Sequence, residues 1–101
     1  MMTSKLLKLY FSREQKADVV DCLLQVDSLS GFSLYDIEGF SRRHESFDLA
    51  EQIRGARHML SAEIICTDDE IQLIQNELKQ LHFKESVRFV LLPLDDYGHA
   101  L

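Results

Sequence analysis

The stretch from residue 57 to residue 81, RHMLSAEIICTDDEIQLIQNELKQL, combines the pattern of a buried strand with that of an amphipathic helix. Residues 57–66 form a largely apolar run of strand length. Thr67 then provides a helix N-cap, and Glu70 stands three positions later, where it completes a capping box. The apolar stripe of the helix consists of Ile71, Ile74, Leu78 and Leu81. This stretch therefore predicts a β-strand that leads directly into an α-helix.

The first third of the chain also has the pattern of a strand followed by a helix. Residues 5–11, KLLKLYF, form an apolar run of strand length. Ser12 and Gln15 have the spacing of a second capping box, which predicts that a helix begins there. The apolar residues at helical spacing in this N-terminal helix are Ala17, Val19, Val20, Leu23 and Leu24. We expect Gly31 to end the helix as a left-handed C-cap.

Two further strands are predicted at residues 32–41 and 86–94, which completes the order βαββαβ. Each β-α-β connection must be right-handed, and this places both helices on the same face of the sheet. The predicted fold is α+β, a ferredoxin-like βαββαβ sandwich with a four-stranded antiparallel sheet and two helices on one face. The 101 residues, with one proline and four glycines, form a single domain, 1–101.

The second face of this sheet is also predicted to be apolar. An antiparallel sheet with one face in water should carry polar residues on that face. Here the alternation instead places a second set of apolar side chains opposite the helix-facing set, namely Leu6, Tyr10, Met59, Ile65, Val90 and Leu92. Such a surface favours contact with other copies of the chain, and we therefore expect an oligomer.

Composition and charge reduce the range of functions that we expect of this protein. The formal net charge is −6, from 17 acidic and 11 basic residues, so the average field of the protein repels nucleic acid. No apolar run is long enough for a membrane span, and we expect neither membrane insertion nor a signal peptide, which points to the cytoplasm. Cys22 and Cys66 lie in apolar contexts without CxxC spacing, and we expect them to behave as small buried hydrophobic residues.

Three segments together resemble the PII nitrogen-regulatory proteins. Residues 39–42 read GFSR, residues 53–56 read IRGA and residues 63–70 read EIICTDDE, which are similar to the family segments G-F-G-R, Y-R-G-A and E-I-V-V-T-D-D-E. The match is closer to a short, uncharacterised bacterial PII-like branch that is often encoded near heavy-metal efflux pumps. The resemblance implies a homotrimer with ligand clefts between subunits, and it equates residues 42–56 with the long T-loop.

The chain also departs from the PII pattern. PII proteins hold ATP partly with a glycine-rich turn before the last strand, whose backbone amides bind phosphate. Residues 79–86, KQLHFKES, contain no glycine and cannot form the same turn. Ser41 replaces the second glycine of G-F-G-R, and Ile53 replaces the tyrosine that some PII proteins carry. We therefore expect neither ATP binding in the PII manner nor control by uridylylation.

The candidate ligand-binding residues lie in the long segment between the second and third strands and at the end of the second strand. These are Gly39, Arg42, Arg43 and Arg54, of which the arginines could bind an anion in a bidentate manner. Alternatively, the arginines are solvent-exposed and form weak ion pairs with Glu45 or Glu51.

The same segment and its flank carry the candidate metal ligands His44, Glu45 and His58. Asp48 is a fourth residue of suitable type. Neutral imidazole together with carboxylate suits a divalent transition metal such as zinc, nickel or copper. Their spacing matches no recognised metal motif, and the alternative is that they are ordinary solvated residues of a loop.

No catalytic set is recognisable, because no Ser or Cys stands beside a candidate His and acid in a recognisable context, and no glycine-rich phosphate loop is present. We therefore predict a non-enzymatic PII-like regulatory or signalling trimer. It would bind a small ligand or metal, and it would bind a partner protein, such as a membrane transporter or efflux component, through residues 42–56. The alternatives are a CutA-like divalent-metal-tolerance protein that binds metal directly, and a small enzyme of ferredoxin-like fold.

Overall fold

The computed structural model of the chain describes residues 4–40, 56–83 and 85–100. Its elements follow the order βαββαβ. They are β1 (Ser4–Ser12), α1 (Lys16–Leu24), β2 (Ser33–Phe40), β3 (Ala56–Thr67), α2 (Asp68–Lys79) and β4 (Arg88–Pro93). A short 3₁₀ turn, Arg13–Gln15, joins β1 to α1.

The four strands form one sheet with the order β2-β3-β1-β4, and all neighbouring strands are antiparallel. The central strand β1 pairs with both β3 and β4, so that Leu7 lies opposite Ile64 on one side and Leu91 on the other. This arrangement confirms the predicted ferredoxin-like fold, with its four-stranded antiparallel sheet.

Both predicted capping boxes form. At the start of α2, the Glu70 amide donates a hydrogen bond to Thr67 Oγ1 over 3.3 Å, and the Thr67 amide donates to Glu70 Oε1 over 2.9 Å. Before α1, the Ser12 amide donates to Gln15 Oε1 over 2.9 Å. Backbone amides that a helix start leaves without partners are thus satisfied by side chains close by in the sequence.

The predicted role of Gly31 is wrong. Helix α1 ends at Leu24, and its C-cap is Gln25, in the right-handed helical conformation. Gly31 lies further along, directly before the residues that lead into β2, and it has a φ of 155°. A residue with a side chain rarely adopts this φ, so Gly31 serves the entry into β2 and not the end of the helix.

The hydrophobic core lies between the sheet and the two helices. The helices contribute side chains to the same buried cluster as the central strands β1 and β3. Its most deeply buried members include Leu7, Leu9, Phe11, Val19, Leu23, Ala62, Ile64, Cys66 and Ile74. Within residues 4–40, 56–83 and 85–100, no helix has the length and apolar character needed to cross a membrane.

The helices leave the edge strand β4 uncovered. Helix α2 packs against β3 and β1, and every residue of β4 is exposed. Phe89 and Leu91 pair with the buried residues Leu9 and Leu7, so their side chains lie on the helix side of the sheet. Even so, 53% of Phe89 is accessible to solvent. Both sides of β4 therefore present apolar side chains to solvent.

A hydrogen bond joins the segment after α1 to the start of α2. The Ser28 hydroxyl lies 2.7 Å from Glu70 Oε2 and donates to it, while Glu70 Oε1 accepts from the Thr67 amide. Burial on its own raises the pKa of the Glu70 carboxyl, but the hydrogen bonds from Ser28 and Thr67 outweigh it and hold the pKa below its ordinary value of 4.5.

A depressed pKa means that the Glu70 carboxylate stabilises the folded protein at neutral pH. This contribution is present above pH 4.5 and is lost as the pH falls through the lower pKa of the folded state. We therefore predict that Glu70→Gln lowers the free energy of unfolding at pH 7, and that the difference from the wild type shrinks as the pH falls below about 4.5. Urea unfolding of both proteins, at pH 7 and again at a pH below about 4.5, measures this difference in the free energy of unfolding. A difference that grew on acidification would contradict it.

Candidate functional site

The end of the β2–β3 pair forms the base of the predicted ligand-binding segment. The last pair of the ladder is Phe40 opposite Ala56, so the two residues that flank 41–55 lie side by side. Of the predicted site residues, Gly39 and His58 lie at this base. The others lie outside the described residues, namely Arg42, Arg43, His44, Glu45 and Arg54.

Gly39 lies opposite Arg57 and against the side chain of Met59. A Cβ atom built at Gly39 would come within 2.8 Å of Met59 Sδ, a distance that requires the methionine to move. The glycine therefore lets the Met59 side chain pack closely over β2. This packing accounts for a glycine at the position in structural terms, while its predicted role in ligand binding stays a prediction.

His58 lies opposite Glu38 in the same ladder, and it is exposed at the end of the sheet. Because side chains alternate along a strand, His58 lies on the same side as Leu60, the helix side. Among residues 4–40, 56–83 and 85–100, no group of three or more His, Cys, Asp or Glu residues could hold a metal ion.

Arg57 forms an ion pair that connects this base to the segment before β4. Its Nη1 contacts Glu85 Oε2, and its side chain is only 11% exposed. The backbone carbonyl of Glu85 also accepts a hydrogen bond from Gln15 Nε2 over 2.8 Å. The start of β3, the turn after β1 and the connection from α2 to β4 therefore meet at Glu85.

The partnership of Arg57 and Glu85 could not be read from the sequence. Arg57 follows Arg54 closely in the chain, but nothing in the sequence pairs it with a residue 28 positions later. An ion pair between distant residues has no periodic signal, because it depends on how the chain folds back on itself. Only the coordinates show that the charge of Arg57 is balanced by Glu85.

The face of the sheet opposite the helices, called here the open face, carries exposed apolar side chains, as predicted. Ile65 is 40% exposed and lies beside Leu6, which in turn lies beside Leu92. The exposed large apolar residues of the open face are Tyr35, Ile65, Val90 and Leu92. Neither helix covers this side of the sheet.

Polar residues occupy the middle of the open face. Lys8 Nζ lies 3.5 Å from Glu63 Oε2, on the neighbouring strand, and both side chains are about 30% exposed. Two pairs further along β1, the guanidinium of Arg88 lies over the Tyr10 ring, 4.8 Å from its centroid. Lys8 and Glu63 are thus paired with each other within the chain, Arg88 lies over an aromatic ring, and exposed apolar residues lie on the same face.

The two cysteines are free and buried, as expected of small hydrophobic residues. Burial, together with the nearby charges of Glu70 and Asp68, raises the pKa of the Cys66 thiol to about 11. Burial also raises the pKa of Cys22. Both thiols are therefore protonated at neutral pH, and the thiolate needed for nucleophilic chemistry is scarce.

Comparison with known proteins assigns the family. A family model described as "Protein of unknown function (DUF3240)" matches residues 1–101. A DUF3240 family protein from Shewanella baltica OS155, whose crystal structure is known, is 29% identical, with a TM-score of 0.79 over 100% of both chains. CutA1 from Pyrococcus horikoshii is 15% identical, with a TM-score of 0.68 over 95% of this chain and 88% of its own. A search of curated proteins found no match.

The ion pair at Glu85 should contribute to stability. Glu85→Gln leaves the little-exposed Arg57 guanidinium without its counter-charge, and we expect a loss of about 1–3 kcal/mol in the free energy of unfolding. The double variant Arg57→Met/Glu85→Gln should lose less than the sum of the single losses, as measured in urea. The exposed pair Arg13–Asp36, at 3.0 Å, is the control, and Arg13→Gln should cost less than about 1 kcal/mol. Strict additivity at Arg57 and Glu85 would contradict the interpretation.

Proposed function

We propose that this chain, which belongs to the DUF3240 family, is a non-enzymatic PII-like regulatory protein that acts as a homotrimer. In this proposal it binds a small ligand or a divalent metal at the base of residues 42–56, and it uses the same segment to bind a partner protein. The observation that carries the proposal is the apolar open face of a sheet whose other face is already covered by two helices.

Self-association would remove this apolar surface from water. Ile65 and Leu92 are each 40% exposed, and burial stabilises a complex by about 25 cal/mol for each Å² of apolar surface. The Lys8–Glu63 pair is already formed within one chain, so burying it does not leave an uncompensated charge. The uncovered edge strand β4 offers further backbone groups for contact between copies.

The length of the β2–β3 connection supports a role in binding. Fifteen residues, 41–55, join two strands whose flanking residues Phe40 and Ala56 already pair with each other. A turn of two to five residues would be enough for this connection, and longer connections in compact domains commonly serve binding. The proposed ligand contacts in and beside this segment are Gly39, Arg42, Arg43 and Arg54.

A CutA-like divalent-metal-tolerance protein is the second candidate, and the exposed His58 beside Glu38 favours it. An imidazole and a carboxylate on paired neighbours can contribute to one metal site, to which His44 and Glu45 would add further ligands. The similarity to CutA1 supports the fold that this candidate needs. The two candidates differ in that the second requires direct metal binding and no protein partner.

We also propose a partner protein and a cellular compartment for this chain. The resemblance to a PII-like branch found near heavy-metal efflux pumps suggests a membrane transporter or efflux component as the partner, approached from the cytoplasm. Nucleic acid is a poor candidate, because the chain carries a net charge of −6.

Contact through the open face predicts that a charge placed there separates the subunits. Ile65→Lys should convert the assembly to monomer at micromolar concentration, because the new ammonium group would be buried without a partner. Leu24→Lys is the matched control, since Leu24 is 62% exposed and lies on α1, away from the sheet. Light scattering measures the mass of each variant. A monomeric wild type, or an Ile65→Lys variant of unchanged mass, would refute contact through this face.

Deletion of residues 43–54 separates binding by the segment from the fold. The deletion should leave the melting temperature and the number of subunits in the assembly unchanged but abolish capture of the proposed transporter.

Calorimetry with zinc, nickel and copper ions then distinguishes the two candidates. Heat that appears in the wild type and is lost in the variant His44→Ala/His58→Ala would support a metal site. The absence of heat in the wild type would exclude the CutA-like candidate.

A further inference from the structure

A second concave surface lies on the helix side of the sheet, between α2 and β4. Helix α2 packs over β3 and β1, and a groove of about 500 Å³ lies between this helix and β4, along the edge of the core. Its floor is formed by Leu7 and Leu9, and one wall is formed by Phe89. The other wall and the ends are formed mainly by Ile74, Leu78, Leu81, Phe83 and Val87. The volume is within the range of roughly 300–1,000 Å³ that is typical of small-molecule sites.

Polar side chains also line the groove, and three of them can donate a hydrogen bond to a ligand, namely Gln75, Lys79 and Ser86. Gln75 and Lys79 stand one turn apart on α2 and therefore lie next to each other on its surface. The Ser86 hydroxyl is a further polar group of the lining. An apolar floor with a small number of polar groups at the rim is the common form of a site for a small amphipathic molecule.

The balance of charge at the rim is positive. Glu85 also lines the groove, but its carboxylate already contacts the Arg57 guanidinium. Lys79 forms no ion pair with any residue of 4–40, 56–83 or 85–100. In a chain with a net charge of −6, this groove thus presents one uncompensated ammonium group beside an apolar cleft.

We propose that the groove between α2 and β4 binds an aliphatic carboxylate. The hydrocarbon chain lies along Leu78, Val87 and Phe89, and the carboxylate accepts hydrogen bonds from Lys79 and Gln75 at the rim. Burial of the alkyl chain contributes about 0.8 kcal/mol for each CH₂ group, so a chain of eight to ten carbons is long enough for measurable binding. The site lies within a single chain, and it depends neither on self-association nor on residues 42–56.

Calorimetry with decanoate and decanol, below their aggregation concentrations, tests this proposal. Decanoate should bind the wild type more tightly than decanol does. Lys79→Gln should weaken decanoate binding about fivefold to tenfold and leave decanol binding unchanged, because only decanoate carries the charge that Lys79 compensates. Lys16→Gln, an exposed lysine of α1, is the control for net charge and should bind both probes as the wild type does.

A second pair of variants tests the apolar wall. Phe89→Glu should abolish binding of both probes, whereas Leu73→Glu should preserve it, because Leu73 is similarly exposed, at 50%, but does not line the groove. Circular dichroism and light scattering on each variant monitor folding and mass. The proposal is overturned if neither probe binds the wild type or if Lys79→Gln affects both probes equally. Dissociation of an assembly by Phe89→Glu would overturn it as well, since the groove would then be a contact between copies.

Discussion

The packing of α1 and α2 against the central strands is the interaction on which the rest of the structure depends. Leu7 and Leu9 on β1, with Ile64 on β3, meet Val19 and Ile74 from the two helices in one buried cluster. The two short helices cover the central strands on one face, but they do not extend over the whole sheet. The opposite face and the edge strand β4 are left without cover, and both of the surfaces for which we propose roles arise from that limit.

These two surfaces differ in shape and charge, and for this reason we propose a different kind of partner for each. The open face is a broad sheet surface on which Lys8 and Glu63 are already paired with each other and Arg88 lies over the Tyr10 ring, which suits contact with another folded surface. The groove beside α2 is narrow and concave, and its rim carries the unbalanced charge of Lys79. A small amphipathic molecule fits the second surface better than a protein does.

Glu85 has a structural role that goes beyond one ion pair. Its carboxylate contacts Arg57 and its carbonyl accepts a hydrogen bond from Gln15, so it holds together three parts of the chain that are far apart in sequence. Arg57 is the second residue of β3, directly after the 41–55 segment. The base of the proposed binding segment is therefore attached to the connection that lines the groove.

The sequence by itself determined the elements and the alternation of their side chains, because the signals for both are local. The capping residues Ser12 and Thr67 mark the two helix starts, and period-two alternation assigns Ile65 and Cys66 to opposite faces of β3. The sequence did not reveal that α1 ends at Leu24 instead of near Gly31, since helix ends depend on packing as well as propensity. The partnership of Arg57 with Glu85 and the groove below Lys79 were decided only by the tertiary structure. Both arise where segments distant in sequence meet, and no local pattern of residues encodes such a meeting.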